Sequence, residues 1–174
     1  MVDRGNATGT SHTRRWWRAA TLLFSAALFI GTPATEAAGP AALVKDIQPP
    51  NAPLRPGLLT DVNGTLFFTA NNGTHGYELW KSDGTAAGTI MVKDINPGPN
   101  PSVPLWLTNV NGTLFFTATD GVHDFELWKS DGTAAGTVMV KDINPGSLGS
   151  DPQEFVNVDG TLYFAANDGV HGDE

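Results

Sequence analysis

The sequence predicts an all-β fold built from tandem four-stranded antiparallel repeats with a period of 48 residues. Three observations predict it. Val44-Lys45-Asp46-Ile47 recurs as Val92-Lys93-Asp94-Ile95 and as Val140-Lys141-Asp142-Ile143, each step being 48 residues. Residues 44–91 and 92–139 share 33 of 48 positions, which makes a tandem array rather than a chance likeness. Glycine and proline are abundant, 20 and 12 of 174 residues, and no window of residues 39–174 holds a 3.6-residue period for three turns without one of them. This punctuation suits short strands and turns, not helices.

Residues 1–38 read as a secretory signal peptide. Arg4, Arg14, Arg15 and Arg18 give a positive start, residues 19–30 carry no charge, and small residues surround the expected cleavage point after Ala37 or Ala38. The apolar run is shorter than the ~20 residues needed to span a bilayer. Residues 13–17 also resemble a twin-arginine signal. A short linker, 39–43, follows. Residues 44–47 are expected as a lone fourth strand ahead of the array.

The repeat itself is clearest over 92–139 and its neighbours. Residues 105–110 alternate and then meet Asn111-Gly112, the dipeptide that favours a hairpin because both turn residues take positive φ. Residues 113–118 form the second strand, followed by a turn over 119–124. The third strand is expected at 125–130, stopped by Asp131-Gly132, and the fourth at 137–143. Asn144-Pro145-Gly146 then ends the ladder, because proline lacks an N–H. Leu114, Phe115 and Phe116 put apolar side chains on both faces of the second strand, which suits a sheet covered on both sides. Four antiparallel strands per repeat of this length describe a β-propeller-like blade. An open array of stacked small sheets is the other arrangement considered.

The array comprises repeat 1 (44–91), repeat 2 (92–139) and a truncated repeat 3 (140–174). Repeat 3 has only its first two strands, giving eleven strands in all, whereas a closed propeller needs ~4–8 complete blades. An incomplete array implies a gene fragment, a truncated reading frame, or a protomer that self-associates to complete the ring. The Glu-Leu-Trp-x-x-Asp-Gly-Thr motif at 78–85 and 126–133 is followed by Gly-Thr and then Val-Lys-Asp-Ile. This pattern resembles the ELWxxDGT repeat family of bacterial secreted and surface proteins. The resemblance implies a propeller-like fold and an exported location. It brings no catalytic residues with it.

Composition narrows the function. The net charge is −8, and residues 39–174 hold 16 acidic against 6 basic side chains, which disfavours nucleic acid and anionic lipid. Contact with a membrane is expected only transiently, during export. The absence of cysteine excludes disulfides, zinc–thiolate sites and thiol nucleophiles.

His75, His123 and His171 recur at period 48, each after a glycine turn. A metal reading would combine Asp120, His123 and Glu126. The alternative is a turn whose side chains bond the local backbone, and the spacing matches no zinc or calcium loop. Asp83-Gly84-Thr85 and Asp131-Gly132-Thr133 invite a calcium reading but are read as turns. Asn63, Asn72 and Asn111 begin glycosylation-type triplets, again read as turns, since Asp159 replaces the acceptor in repeat 3. No cofactor is expected.

An active site needs a unique constellation at one place, so residues repeated in every copy are more economically explained as scaffold. Of the 15 differences between repeats 1 and 2, eight fall within 48–58 against 96–106. In an antiparallel meander this loop leaves by the same end as the histidine turns. Arg55, His75, Trp106, His123, Asp151 and Glu154 are therefore the expected binding face. The expected function is an exported, non-enzymatic binding or adhesion module for an extracellular glycan or protein, secreted, periplasmic or at the cell surface. A fragment of a polysaccharide hydrolase or lyase, with Asp151 and Glu154 as its carboxylates, and a calcium-stabilised array are the competing readings.

Overall fold

A computed structural model describes residues 42–47 and 56–174. The expected signal peptide and Arg55 lie outside these residues. Among the described residues every regular element is a strand, and none is a helix long and apolar enough to cross a membrane. The first sheet comprises β1 (Gly57–Val62), β2 (Thr65–Asn71), β3 (Tyr77–Ser82) and β4 (Ile90–Lys93). The second repeats it as β5 (Leu105–Val110), β6 (Thr113–Ala118), β7 (Glu126–Ser130) and β8 (Val138–Lys141). The third is the pair β9 (Gln153–Val158) and β10 (Thr161–Ala165). Each sheet is an antiparallel meander in chain order.

The Asn-Gly turns set the first hairpins. Asn111 and Gly112 take φ of 51° and 83°, as the tight turn requires. Gly112 has a second reason to be glycine. A Cβ there would lie 2.5 Å from the Asn63 side chain of the preceding sheet. The first-strand edges are linked in the same way. Asn109 Nδ2 donates to Asp61 O (3.1 Å), and Asn157 Nδ2 donates to Asn109 O (2.9 Å). Between sheets, the strand pairs in closest backbone contact are β1 with β5 and β5 with β9.

The sheets pack face to face. Val62, Phe67, Leu79, Val92 and Ile95 of the first meet Leu114, Phe116, Ala118 and Trp128 of the second in one buried cluster. Phe68, Ala70 and Trp80, on the other face of the first sheet, pack with Ile47. Both faces of β2 are therefore apolar because both are covered. Lysines of the fourth-strand position link successive copies. Lys45 Nζ donates to Thr89 O (2.7 Å), and Lys93 Nζ donates to Thr137 O (2.8 Å) while lying 5.7 Å from the centre of the Trp128 ring.

Three expectations are corrected. Residues 44–47 carry no strand pairing, so ten strands form among the described residues and not eleven. Ile47 and Lys45 keep the packing of the fourth-strand position, but no described third strand lies beside them to form a ladder. The third strand of repeat 2 begins at Glu126, one residue later than expected, where its ladder with β6 ends at the Ala118–Glu126 pair. The fourth strand stops at Lys141, because Ile143 N donates to Glu126 Oε2 (3.0 Å) and leaves the ladder.

Repetition makes a built-in control. Val92 is 6% exposed between two sheets, whereas its copy Val140 is 43% exposed. Val92→Ala is expected to cost about 2 kcal/mol and Val140→Ala less than half of that, since stabilisation follows the apolar area and packing lost. Thermal melts of the two variants check this. Equal costs would show that the sheets do not pack as described.

Candidate functional site at the histidine-turn end

The turns between second and third strands and the loops between sheets share one end of the molecule. Two approaches fix this. Ser102 N and Val103 N donate to Tyr77 O (3.0 and 3.1 Å), and a Cβ on Gly121 would lie 2.6 Å from Asn96 Oδ1. The Asn-Gly and Asp-Gly-Thr turns occupy the opposite end, as the meander requires.

The histidine turns are closed on themselves. Asp120 Oδ1 accepts from Val122 N (2.9 Å) and His123 N (2.8 Å), and its Oδ2 faces His123 Nδ1 at 3.1 Å. Asp168 repeats the pattern with His171 at 2.7 Å. In the first copy Asn72 takes the aspartate's place, with His75 Nδ1 at 3.0 Å from its Nδ2. Partial burial pushes the Asp120 carboxyl up. The His123 N–H, the His123 ring and the Val122 N–H together outweigh that and hold it below the usual carboxylate range. The hydrogen bond to Asp120 in turn raises the His123 imidazole. Asp168 is held well below the usual range by the His171 N–H, the His171 ring and the Val170 N–H.

Asp120, His123 and Glu126 are not gathered as ligands. No group of three or more His, Asp or Glu side chains is placed to hold a metal among the described residues. Glu126 faces another way and is fully buried. Its carboxylate accepts from Ile143 N (3.0 Å), Asn144 N (3.4 Å), Ser150 N (3.0 Å) and Ser150 Oγ (2.6 Å). Glu78 does the same for Ile95 N (2.9 Å), Ser102 N (3.0 Å) and Ser102 Oγ (2.6 Å). These glutamates pin each inter-sheet loop to the third strand of the sheet before it. The Asp-Gly-Thr turns are likewise self-contained. Asp83 Oδ1 accepts from Thr85 N (2.9 Å) and Thr85 Oγ1 (2.7 Å), and Asp131 does the same with Thr133.

The pinned loops deliver the chain to a bulge in each first strand. The pairing register shifts between Gly57 and Thr60, between Leu105 and Thr108, and between Gln153 and Val156. Within the bulges Leu58, Trp106 and Glu154 take φ of 54°, 57° and 57°. Left-handed backbone costs a side-chain-bearing residue about 1–2 kcal/mol. These three positions are 48 apart, share one strained conformation and carry three unlike side chains. Val103 and Asp151, three residues earlier in their repeats, are also left-handed, at φ 47° and 46°. Bulges of this kind re-aim a side chain away from the ladder.

Two openings meet at Trp106. An open groove of about 490 Å³ runs over Leu58 and Leu59 of β1 and Leu105–Thr108 of β5. A second hollow of about 390 Å³ is lined by residues that include Trp106, Phe125, Asp151, Gln153 and Asp173. Trp106 is 44% exposed, whereas Trp80 and Trp128 are 6% and 5% exposed inside the core. The structure thus brings together Trp106 and Asp151, with Glu154 on the neighbouring bulge. His75 and His123 lie at the same end but are spent on their own turns. No family model, curated protein or solved structure matches the chain.

Proposed function

We propose that the chain is an exported, non-enzymatic binding module, a run of propeller-like blades that presents ligand-contacting residues at the histidine-turn end. The observation that carries this reading is a division of labour among residues. Side chains repeated in every copy bond their own turn, their own loop or the next sheet. Among those that change from copy to copy, Leu58, Trp106 and Glu154 sit at the strained first-strand bulge and are exposed, with Leu58 and Trp106 lining open grooves. Strain that persists under changing side chains is strain kept for what those side chains do. The meeting of the first-strand edges supports the propeller-like arrangement. The charged start and apolar run of residues 1–38, with the resemblance to the ELWxxDGT repeats, support export.

The test is sedimentation of purified residues 39–174 with isolated bacterial envelope fragments. Retention is expected. Trp106→Ala with Asp151→Asn should abolish it, while Ala134→Arg, on an exposed turn at the opposite end, should leave it intact. Loss through Ala134→Arg with no effect of the first pair would place the binding face at the wrong end.

A further inference from the structure

We propose that the Trp106 groove is a glycan subsite, with the indole as a platform for a neutral sugar ring and the neighbouring carboxylates as acceptors for its hydroxyls. This rests on the binding-module reading above and names its ligand class. A pyranose has two kinds of surface. Its flat faces are C–H and apolar, and its edges are hydroxyls. The two openings that meet at Trp106 divide in the same way. Leu58, Leu59 and Leu107 make the groove on one side apolar, and Asp151, Gln153 and Asp173 make the hollow on the other polar. The exposed indole between them offers a large rigid face at small entropic cost.

Both openings fall in the ~300–1,000 Å³ range of sites for small rigid ligands. An acyl chain would fill the leucine side and leave Asp151 and Gln153 without a role. A phosphate- or uronate-bearing polymer would meet Asp151, Glu154 and Asp173 in a chain of net charge −8. A neutral glycan satisfies both halves.

The row of bulges extends the site. Leu58, Trp106 and Glu154 hold equivalent places on first strands that lie side by side, β1 against β5 and β5 against β9. Successive sugar units would meet an apolar contact, an aromatic platform and a carboxylate in turn. The order gives the site a direction and distinguishes it from three equal sites on a symmetric array. Glu154 then acts on the unit next to the one that Trp106 stacks.

The test uses the tryptophan itself. Trp106 is the exposed indole among the described residues, so sugar stacking changes its emission while Trp80 and Trp128 stay silent. Residues 39–174 are titrated with cellohexaose, mannohexaose, xylohexaose and chitohexaose, and separately with hexagalacturonate. At least one neutral hexasaccharide is expected to shift and quench the emission. Hexagalacturonate should bind at least about tenfold more weakly. Since Trp106→Ala removes the reporter, its binding is read by calorimetry. It should weaken affinity by about tenfold or more while Trp106→Phe retains most of it. Glu154→Gln should weaken it less. Circular dichroism melts establish that each variant is folded.

The proposal is overturned if no neutral hexasaccharide binds at about 10 mM, if Trp106→Ala binds like the parent chain, or if hexagalacturonate binds best. Envelope retention that needs Trp106 without any glycan binding would leave the binding module standing and point to a protein ligand. Loss of both would remove both readings.

Discussion

Glu126→Ala is expected to lower the melting temperature by about 10–15 °C, corresponding to roughly 3–5 kcal/mol in a chain of this size. The carboxylate is fully buried and accepts from three backbone N–H groups and the Ser150 hydroxyl. Alanine removes the acceptor and strands those donors away from water, and each buried unpaired donor costs about 1–3 kcal/mol. The loop over 142–152 should lose amide-exchange protection together with the melting temperature. Glu126→Gln keeps one acceptor oxygen and should recover part of the loss. Glu78 adds a pH dependence with a definite sign. Burial pushes its carboxyl up from 4.5 to about 7, against the pull of the Ser102 hydroxyl and the Ile95 and Ser102 N–H groups, with Asp94 adding to the rise. A folded value above the unfolded one means the contribution is full below about pH 4.5 and is lost as pH rises through about 7. Melting temperature should therefore fall over this window in the parent chain and fall less in Glu78→Gln. A steeper fall in Glu78→Gln would reverse the assignment.

Phe116→Ala is expected to cost about 3–5 kcal/mol, again near 10–15 °C. Phe116 is fully buried where the first two sheets meet, in the cluster with Phe67, Leu79, Val92 and Ile95. The cost combines lost burial with a cavity that two stiff sheets close poorly. Phe116→Leu should cost under about 2 kcal/mol, since it keeps most of the volume. The adjacent Phe115 points to the other face of the strand and is half-buried. Phe115→Ala should be distinctly milder. Equal losses at 115 and 116 would contradict the packing of the second sheet on the first.

Much of this fold was readable from residues. The first two strands of repeat 2, expected at 105–110 and 113–118, occupy those residues, because Asn111-Gly112 fixes the turn and so the register. The ends of the third and fourth strands were less legible. At the end of the fourth strand the backbone is diverted to a distant partner, Ile143 N to Glu126, which no local pattern shows.

The glutamate pins were overlooked because an isolated Glu reads as a surface acid or a ligand. A signal did exist. Ser102 and Ser150 follow Glu78 and Glu126 by 24 residues and are kept in loops that differ at four of nine positions, 96–104 against 144–152. The bulges were not legible at all. Leu58, Trp106 and Glu154 include no glycine or asparagine to announce left-handed backbone, and the alternation around them reads as unbroken strand. Sequence comparison between copies pointed to the histidine-turn end of the molecule, since more than half of the differences fall in the loop that leaves by that end. Geometry was needed to select Trp106 and Asp151 and to set aside His123.

The central claim is that repeated residues hold the fold while the unlike residues at the first-strand bulges bind ligand. The most direct measurement is the amide chemical-shift map of residues 39–174 titrated with the best neutral hexasaccharide. Perturbations are expected to be confined to Leu58, Leu59, residues 103–107 and residues 150–154, with the Asn111-Gly112 and Asp131-Gly132 turns unmoved. Perturbations centred on those turns, or spread equally over every histidine turn, would contradict it.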